Sequence, residues 1–192
     1  LLNGCQVELT ATIGKLSQTI TVTANSANKV YDGSALTETN YTVDGTLESG
    51  DQITDVVISG SQTEVGTSVN QLVSFKIMRN GVDVACYYNT VKKNGTLEVK
   101  CKPLTITAAT HEFEYDGTAH SDETYTVVGL VGDDAISAVV EGSIQYVSQS
   151  PVTNVLRRYA FTSGNANNYC VTTADGELKM KYAGCTHITI TA

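Results

Sequence analysis

The sequence predicts an all-β chain made of two tandem small β-sandwich modules of the immunoglobulin-like class, and three observations lead there. Trp is absent and Phe scarce at 3, against 10 Tyr and abundant Thr and Val, a bias toward side chains that suit a half-buried pleated surface. Apolar and polar residues alternate in "TITVTA" (19–24), as a strand with one buried face requires. Long blocks of sequence also recur at a fixed step, the signature of a repeated structural unit.

The repeat is plain in "YDGSALTETNYTVDG" (31–45) and "YDGTAHSDETYTVVG" (115–129), which share eight of fifteen positions at a step of 84. "TVTA" at 21 and "TITA" at 105 and 189 keep that step. "ISGSQ" (58–62) answers to "VEGSI" (140–144) after a two-residue deletion, and "KNGTLEVK" (93–100) to "ADGELKMK" (174–181) after one more. The expected modules are residues 19–102 and 103–185. Residues 1–18 read as the terminal strand of a preceding repeat. Residues 186–192 read as the first strand of a following repeat or the closing strand of the second module. About 80 residues suffice for one small core.

Within a copy, "KVYDG" (29–33) runs into a turn and "NYTVDG" (40–45) is a short strand. "TLESGD" (46–51), matched by "LVGDD" (130–134), fits a single helical turn. "ITDVVISGS" (53–61) and "NQLVSFKIMRNG" (70–81) are longer strands. "YYNTVKKNGTLEVK" (87–100) reads as a hairpin about Asn94-Gly95, with Asp175-Gly176 in the second copy, since such dipeptides readily take positive φ. A β-grasp arrangement of each module is the alternative.

A net charge of −8 with only 12 Lys and Arg argues against nucleic acid, whose phosphates are neutralised by basic side chains. No apolar run reaches the roughly 18 residues of a membrane span. "LLNGC" (1–5) resembles the end of a lipoprotein signal, with Cys5 as the lipidated residue. It lacks the charged and apolar regions of such a signal, and reads as folded chain.

Cys86 and Cys101 are 15 apart, as are Cys170 and Cys185, and the two pairs lie 84 apart. Each pair brackets an Asn-Gly or Asp-Gly hairpin, near the open end of two antiparallel strands, so the expectation is one disulfide per module, Cys86 with Cys101 and Cys170 with Cys185. Disulfides of this kind imply an oxidising, extracytoplasmic location. Cys5 is left over.

Little in the chain spells out chemistry. His111, His120 and His187 stand where the first copy has Ala27, Leu36 and Pro103, so they read as surface positions. Asp32 and Asp116, beside Tyr31 and Tyr115, are the tempting acids. A general acid needs a partner within hydrogen-bond reach, and the flanking residues differ between copies. Tyr31 and Tyr115 therefore read as core anchors, Asp32 and Asp116 as turn caps, and Gly33 and Gly117 as positive-φ positions. Glu48, Asp51, Asp133 and Asp134 lack EF-hand spacing and read as solvated loops rather than calcium ligands. Lys29 and Lys76, candidates for an isopeptide bond, lack lysine counterparts in the second copy. No catalytic residue, cofactor or metal is expected.

The order "ITVTANSANKVYDGSAL", "NYTVDGTLESGD", "VVISGSQTEVGTSVN", "YYNTVKKNGTLEVK" resembles the YDG or MBG repeats of large bacterial cell-surface proteins. The resemblance spans residues 19–100 well and 103–181 more loosely, where "GSIQYVSQSPV" replaces "GSQTEVGTSVN". It implies a non-enzymatic stalk or adhesive repeat outside the cell. The partners it implies are neighbouring repeats of the same chain and host glycan or mucin. It brings no catalytic set, and the paired cysteines depart from its usual cysteine-free pattern. The alternative is a carbohydrate-binding or accessory module of a secreted glycan-degrading enzyme, with Tyr87, Tyr88, Tyr146 and Tyr159 as stacking platforms.

Overall fold

The computed structural model describes residue 14 and residues 17–184. The described chain is all-β. The first copy contributes β1 (Thr19–Ala24), β2 (Ala27–Val30), β3 (Tyr41–Asp44), β4 (Asp51–Ser59), β5 (Gly66–Arg79), β6 (Val82–Asp83), β7 (Asn89–Lys93) and β8 (Gly95–Lys100). The second contributes β9 (Lys102–Ala108), β10 (His111–Glu114), β11 (Tyr125–Val128), β12 (Ala135–Glu141), β13 (Val152–Ser163), β14 (Tyr169–Ala174) and β15 (Gly176–Lys181). Short 3-10 turns lie at Ala85–Tyr87, Val147–Gln149 and Ala166–Asn168.

Each copy builds two sheets. In the first, β1 runs antiparallel to β3 and parallel to β7, and a second sheet has the order β2-β8-β5-β4. In the second, β9 runs antiparallel to β11 and parallel to β14, and the larger sheet has the order β10-β15-β13-β12. There β10 is parallel to β15, and β15, β13 and β12 are mutually antiparallel neighbours. These parallel pairs distinguish the copies from the all-antiparallel sheets of an immunoglobulin sandwich. Alternation in sequence places residues in strands, but does not reveal which way a neighbouring strand runs.

The alternation itself is realised. Ile20, Val22 and Ala24 of β1 are buried, as are Leu104, Ile106 and Ala108 of β9. Leu72, Ile77, Val84 and Tyr88 complete the first core, with half-buried Tyr41, Ile53 and Phe75 packed on it. Ile144, Leu178 and Met180 pack with Phe113, Val147 and Val152 in the second copy. Burying an aliphatic side chain of this size contributes about 2 kcal/mol.

The expected hairpin does not form. β7 and β8 lie in different sheets, and so do β14 and β15. Asn94 and Asp175 mark the corner where the chain changes sheet, each using its Oδ1 to accept a backbone amide, from Leu72 at 3.0 Å and Leu156 at 2.8 Å. The glycine that follows is needed for room rather than for φ. A Cβ at Gly95 would stand 2.6 Å from the Ala24 carbonyl oxygen, and one at Gly176 would stand 2.6 Å from that of Ala108. Residues 46–51 and 130–134 form single turns, closed by Asp51 N–H to Glu48 O at 3.0 Å and Asp134 N–H to Val131 O at 3.1 Å.

Beside each corner sits a buried asparagine. Asn70 donates from Nδ2 to Asn25 O and Glu38 O, both at 2.9 Å. Asn154 does the same to Ala109 O at 2.9 Å and Asp122 O at 2.8 Å. Gly60 and Gly142 make room for them, since a Cβ at either would stand 2.8 and 2.6 Å from the asparagine Oδ1.

The chain divides into two compact units. Unit 1 holds the described residues up to Asn28 together with Ala35–Gln62 and Gly66–Glu98. Unit 2 holds Lys29–Ser34, Thr63–Val65 and the chain from Val99 onward.

Two substitutions check this account by urea denaturation. Asn154→Ala leaves two partly buried carbonyls without this donor and should cost about 2–4 kcal/mol. Gly176→Ala forces a methyl group against backbone and should cost about 1–3 kcal/mol. An unchanged denaturation midpoint for either would contradict the packing described.

Candidate functional site

The two Tyr-Asp-Gly turns are built alike. Asp32 Oδ1 accepts from the Ser34 amide at 2.9 Å and the Ser34 hydroxyl at 2.8 Å. Asp116 Oδ1 accepts from the Thr118 amide at 2.8 Å and the Thr118 hydroxyl at 2.7 Å. Such Asx turns satisfy amides that the strands leave free. Gly33 and Gly117 then take φ of 81° and 87°, where a side chain would be strained. The tyrosine amides tie each turn to the end of β8 or β15, Tyr31 to Lys100 O at 2.8 Å and Tyr115 to Lys181 O at 2.9 Å.

Both acids are committed as anions. The Lys29 ammonium, 2.6 Å away, and then the Ser34 amide hold the Asp32 carboxyl well below the usual carboxylate range. The Thr118 amide and hydroxyl, with His120 Nε2 at 3.0 Å, bring Asp116 down to about 2. Asp122 is likewise lowered to about 2, chiefly by the Thr124 hydroxyl and amide, with His111 Nδ1 at 2.9 Å. The two histidine rings flank Phe113, stacked at centroid distances of 4.3 and 4.8 Å. His187 lies outside the described residues.

The tyrosines differ more than the turns. Tyr31 is 8% exposed and Tyr115 38% exposed. Inside unit 2, the Tyr31 and Tyr169 rings meet in a T-shaped contact at 5.8 Å, and Tyr169 stacks on Phe161 at 5.3 Å. Tyr115 instead lines an open concavity of about 270 Å³ with Tyr146, Val147, Ser148 and Tyr182. Tyr146 and Tyr182 are 48% and 73% exposed. Sequence reasoning had Tyr146 as a stacking platform and missed its neighbours. Tyr115 had been given to the core, and Tyr182 lies in a three-residue linker insertion. Of the other proposed platforms, Tyr159 is exposed and Tyr87 half-buried on the first core. Tyr88 is fully buried and cannot stack on a sugar.

Tyr88 and its counterpart Tyr169 explain two of the acidic-loop residues. The Tyr88 hydroxyl donates to Asp51 at 2.5 Å and accepts the Glu48 amide at 2.9 Å. The Tyr169 hydroxyl donates to Asp134 at 2.5 Å and accepts the Val131 amide at 3.0 Å. Arg79 grips Asp51 through Nε and through Nη2, the latter at 2.8 Å, and keeps its carboxyl below the ordinary range although burial opposes this. Burial first, then the Asp134 hydrogen bond, pushes the Tyr169 phenol up to about 12. Among the described residues no group of three or more His, Cys, Asp or Glu is placed to hold a metal ion. Lys29 and Lys76, the lysines considered for an isopeptide bond, pair with Asp32 and with Asp55 at 2.8 Å.

The disulfide pairing corrects the expectation. Cys101 is bonded to Cys170, with Cα atoms 5.5 Å apart, and among the described residues Cys86, which is exposed, has no disulfide partner. Cys5 and Cys185 lie outside the described residues. The equal spacing of 84 misled because the copies are not in constant register. Thr19 pairs with Asn89, and Pro103, 84 residues further on, pairs with Cys170. The counterpart of Cys170 is therefore Asn89, not Cys86. Because the supposed hairpin is a corner between sheets, Cys86 and Cys101 are not opposed across a ladder. The bond closes a span of 69 residues, worth about 4 kcal/mol by restricting the unfolded chain.

With this geometry in place, comparison with known proteins gives one family. Residues 104–179 match the family model of the MBG domain (YGX type). The match falls on the second copy, whose sequence resembled such repeats more loosely than the first. No curated protein and no solved structure matches the chain. Among the described residues, no helix is long and apolar enough to cross a membrane.

Two measurements test the site. Non-reducing peptide mapping should recover Cys101 joined to Cys170 and no peptide joining Cys101 to Cys86. Acid should weaken the turns with a defined sign. Asp116 and Asp122 have an ordinary value of 3.8 and are lowered to about 2. Their contribution is then complete above about pH 4 and is lost as pH falls through about 2. The urea midpoint should drop across that window, and more shallowly in Asp122→Asn, whose carbonyl still accepts from Thr124.

Proposed function

We propose that the chain is a non-enzymatic repeat segment of a bacterial cell-surface protein, a stalk or spacer making weak contacts with host glycans such as those of mucin. The observation that carries this reading is the use made of the repeated acids. Asp32 and Asp116, the residues a catalytic reading would need, each accept an amide and a hydroxyl two residues ahead. What the sequence duplicates is the machinery of folding. Residues 19–102 and 103–185 serve as the two repeats in this reading, and "THITITA" (186–192) opens another.

Two further findings support an exported repeat. The segment 104–179 matches the MBG domain, a type of module found in surface proteins and without a catalytic set. The Cys101–Cys170 bond suits the oxidising compartments in which disulfides persist.

The alternative, a carbohydrate-binding accessory module of a secreted glycan-degrading enzyme, is favoured by one observation. Tyr115, Tyr146 and Tyr182 line a concavity, and sugars stack on flat aromatic faces. A mucin-glycan array separates the two. The spacer reading expects dissociation constants no tighter than about 1 mM, roughly 4 kcal/mol of binding. Micromolar binding to one defined sugar, lost in Tyr146→Ala, would transfer the assignment to the alternative.

A further inference from the structure

The tyrosine of the first Tyr-Asp-Gly turn is covered inside unit 2, and that of the second turn, alike in backbone, is open, at 8% and 38% exposure. Tyr31 makes a T-shaped contact with Tyr169. A Cβ on Gly33 would stand 3.1 Å from a Val131 methyl group, whereas nothing lies within 4 Å of that position at Gly117. The Thr63–Val65 segment is also engaged inside unit 2. Glu64 Oε2 accepts from the side-chain amides of Asn165 at 2.9 Å and Asn168 at 2.7 Å, and the Val65 amide donates to Asn168 Oδ1 at 3.0 Å. Asn168 is buried in doing so. The corresponding loop of the second copy, two residues longer, holds Tyr146, Val147 and Ser148 of the open concavity beside Tyr115.

We infer that the surface formed by Tyr115, Gly117, Tyr146 and Tyr182 is a docking site for a further repeat of this kind, and that its occupant is the Val131–Tyr169 face of that repeat. The inference rests on the repeat reading above. The occupant follows from the sequence after the concavity. "CTHITITA" (185–192) repeats the cysteine and first strand of "CKPLTITA" (101–108) 84 residues on. In the second copy that cysteine is bonded to Cys170, the residue next to Tyr169. The disulfide thus fixes the docking tyrosine to the linker that leads into its own repeat, close to Lys100, whose carbonyl closes the Tyr31 turn at 2.8 Å. A repeat beginning at Cys185 would carry its own docking tyrosine on the same tether. The concavity, about 270 Å³, has the chemistry for it, because three tyrosine rings and Val147 suit an aromatic ring and a valine methyl group. Tyr182, one of three extra residues before Cys185, adds a third ring to the cradle, and the Tyr31 turn has no such insertion.

The test compares the present chain with one in which residues 101–184 are run a second time after residue 184. The added copy carries Ser137→Thr so that its peptides differ in mass, and its Cys101–Cys170 linked peptide reports that it has folded. Hydroxyl-radical oxidation of Tyr115 and Tyr146 in the original copy should fall at least threefold on extension, while the same tyrosines in the added copy stay fast. Equal rates in both copies overturn the proposal. Its premise is read in the unextended chain, where Tyr31→Ala should raise Tyr169 oxidation several-fold. An unchanged rate there means that the turn tyrosine covers nothing, and the proposal falls as well. Protection of Tyr115 and Tyr146 by soluble mucin glycan at micromolar concentration, but not by the added copy, overturns both docking and the spacer reading. Protection by neither overturns docking alone and leaves the spacer reading standing.

Discussion

The fold of each copy turns on one buried side-chain amide. Asn70 and Asn154 are fully buried, and each spends its two N–H groups on carbonyls at either end of a short excursion of chain, 25 and 38 in one case and 109 and 122 in the other. That excursion contains the second strand and the Tyr-Asp-Gly turn. At the same point the chain changes sheet, with Asn94 or Asp175 accepting an amide two residues beyond the asparagine. Gly60, Gly95, Gly142 and Gly176 are small because this knot leaves no space for a methyl group. Buried carbonyls that lose a donor are costly, so these polar contacts specify the register in which the apolar faces meet.

This knot also explains which parts of the sequence were legible. Strands such as "TITVTA" could be read because burial on one face imposes a period of two on side-chain chemistry. The Tyr-Asp-Gly turn could be read because positive φ and an i+2 carboxylate acceptor are local requirements. The corner at Asn94-Gly95 could not, because the same dipeptide serves a hairpin when φ is the constraint and a sheet change when space is. The choice is made by Ala24 and Asn25, about seventy residues away in sequence, and a local reading does not see them. Asn70 and Asn154 were overlooked for a related reason, since an asparagine in a strand-like run gives no local sign that its partners are distant carbonyls.

The cysteines show how a true periodicity can mislead. The sequence blocks already required offsets of 84, 82 and 81 along the copy, so an 84-residue match late in the copy was a warning rather than a confirmation. Tyr88 and Tyr169 keep an offset of 81 and the same two hydrogen-bond partners, which places Cys86 three residues out of step with Cys170. Had hydrogen-bonding roles rather than letters been aligned, the pairing of Cys101 with a residue next to the buried tyrosine would have been the natural candidate. The candidate surface was hidden similarly. Tyr115 was judged by its motif, yet the motif fixes only its backbone, and its exposure depends on what stands opposite.

The two tyrosine–aspartate pairs carry the same geometry at different electrostatic settings, and this bears on how such a repeat can vary. Asp51 is neutralised by Arg79, which grips both its oxygens. Asp134 has no arginine in that role and packs against Gly164, where a Cβ would collide with its carboxylate. Removing the guanidinium from a buried carboxylate would ordinarily be costly. Here the tyrosine hydroxyl remains as a donor, and Asp134 is less enclosed than Asp51. The phenol is therefore the element that both copies need, since it ties the loop before the fourth or twelfth strand to the strand that follows the short 3-10 turn. The surrounding charges are free to drift, which is how two copies with few identical residues outside the turn come to share one fold.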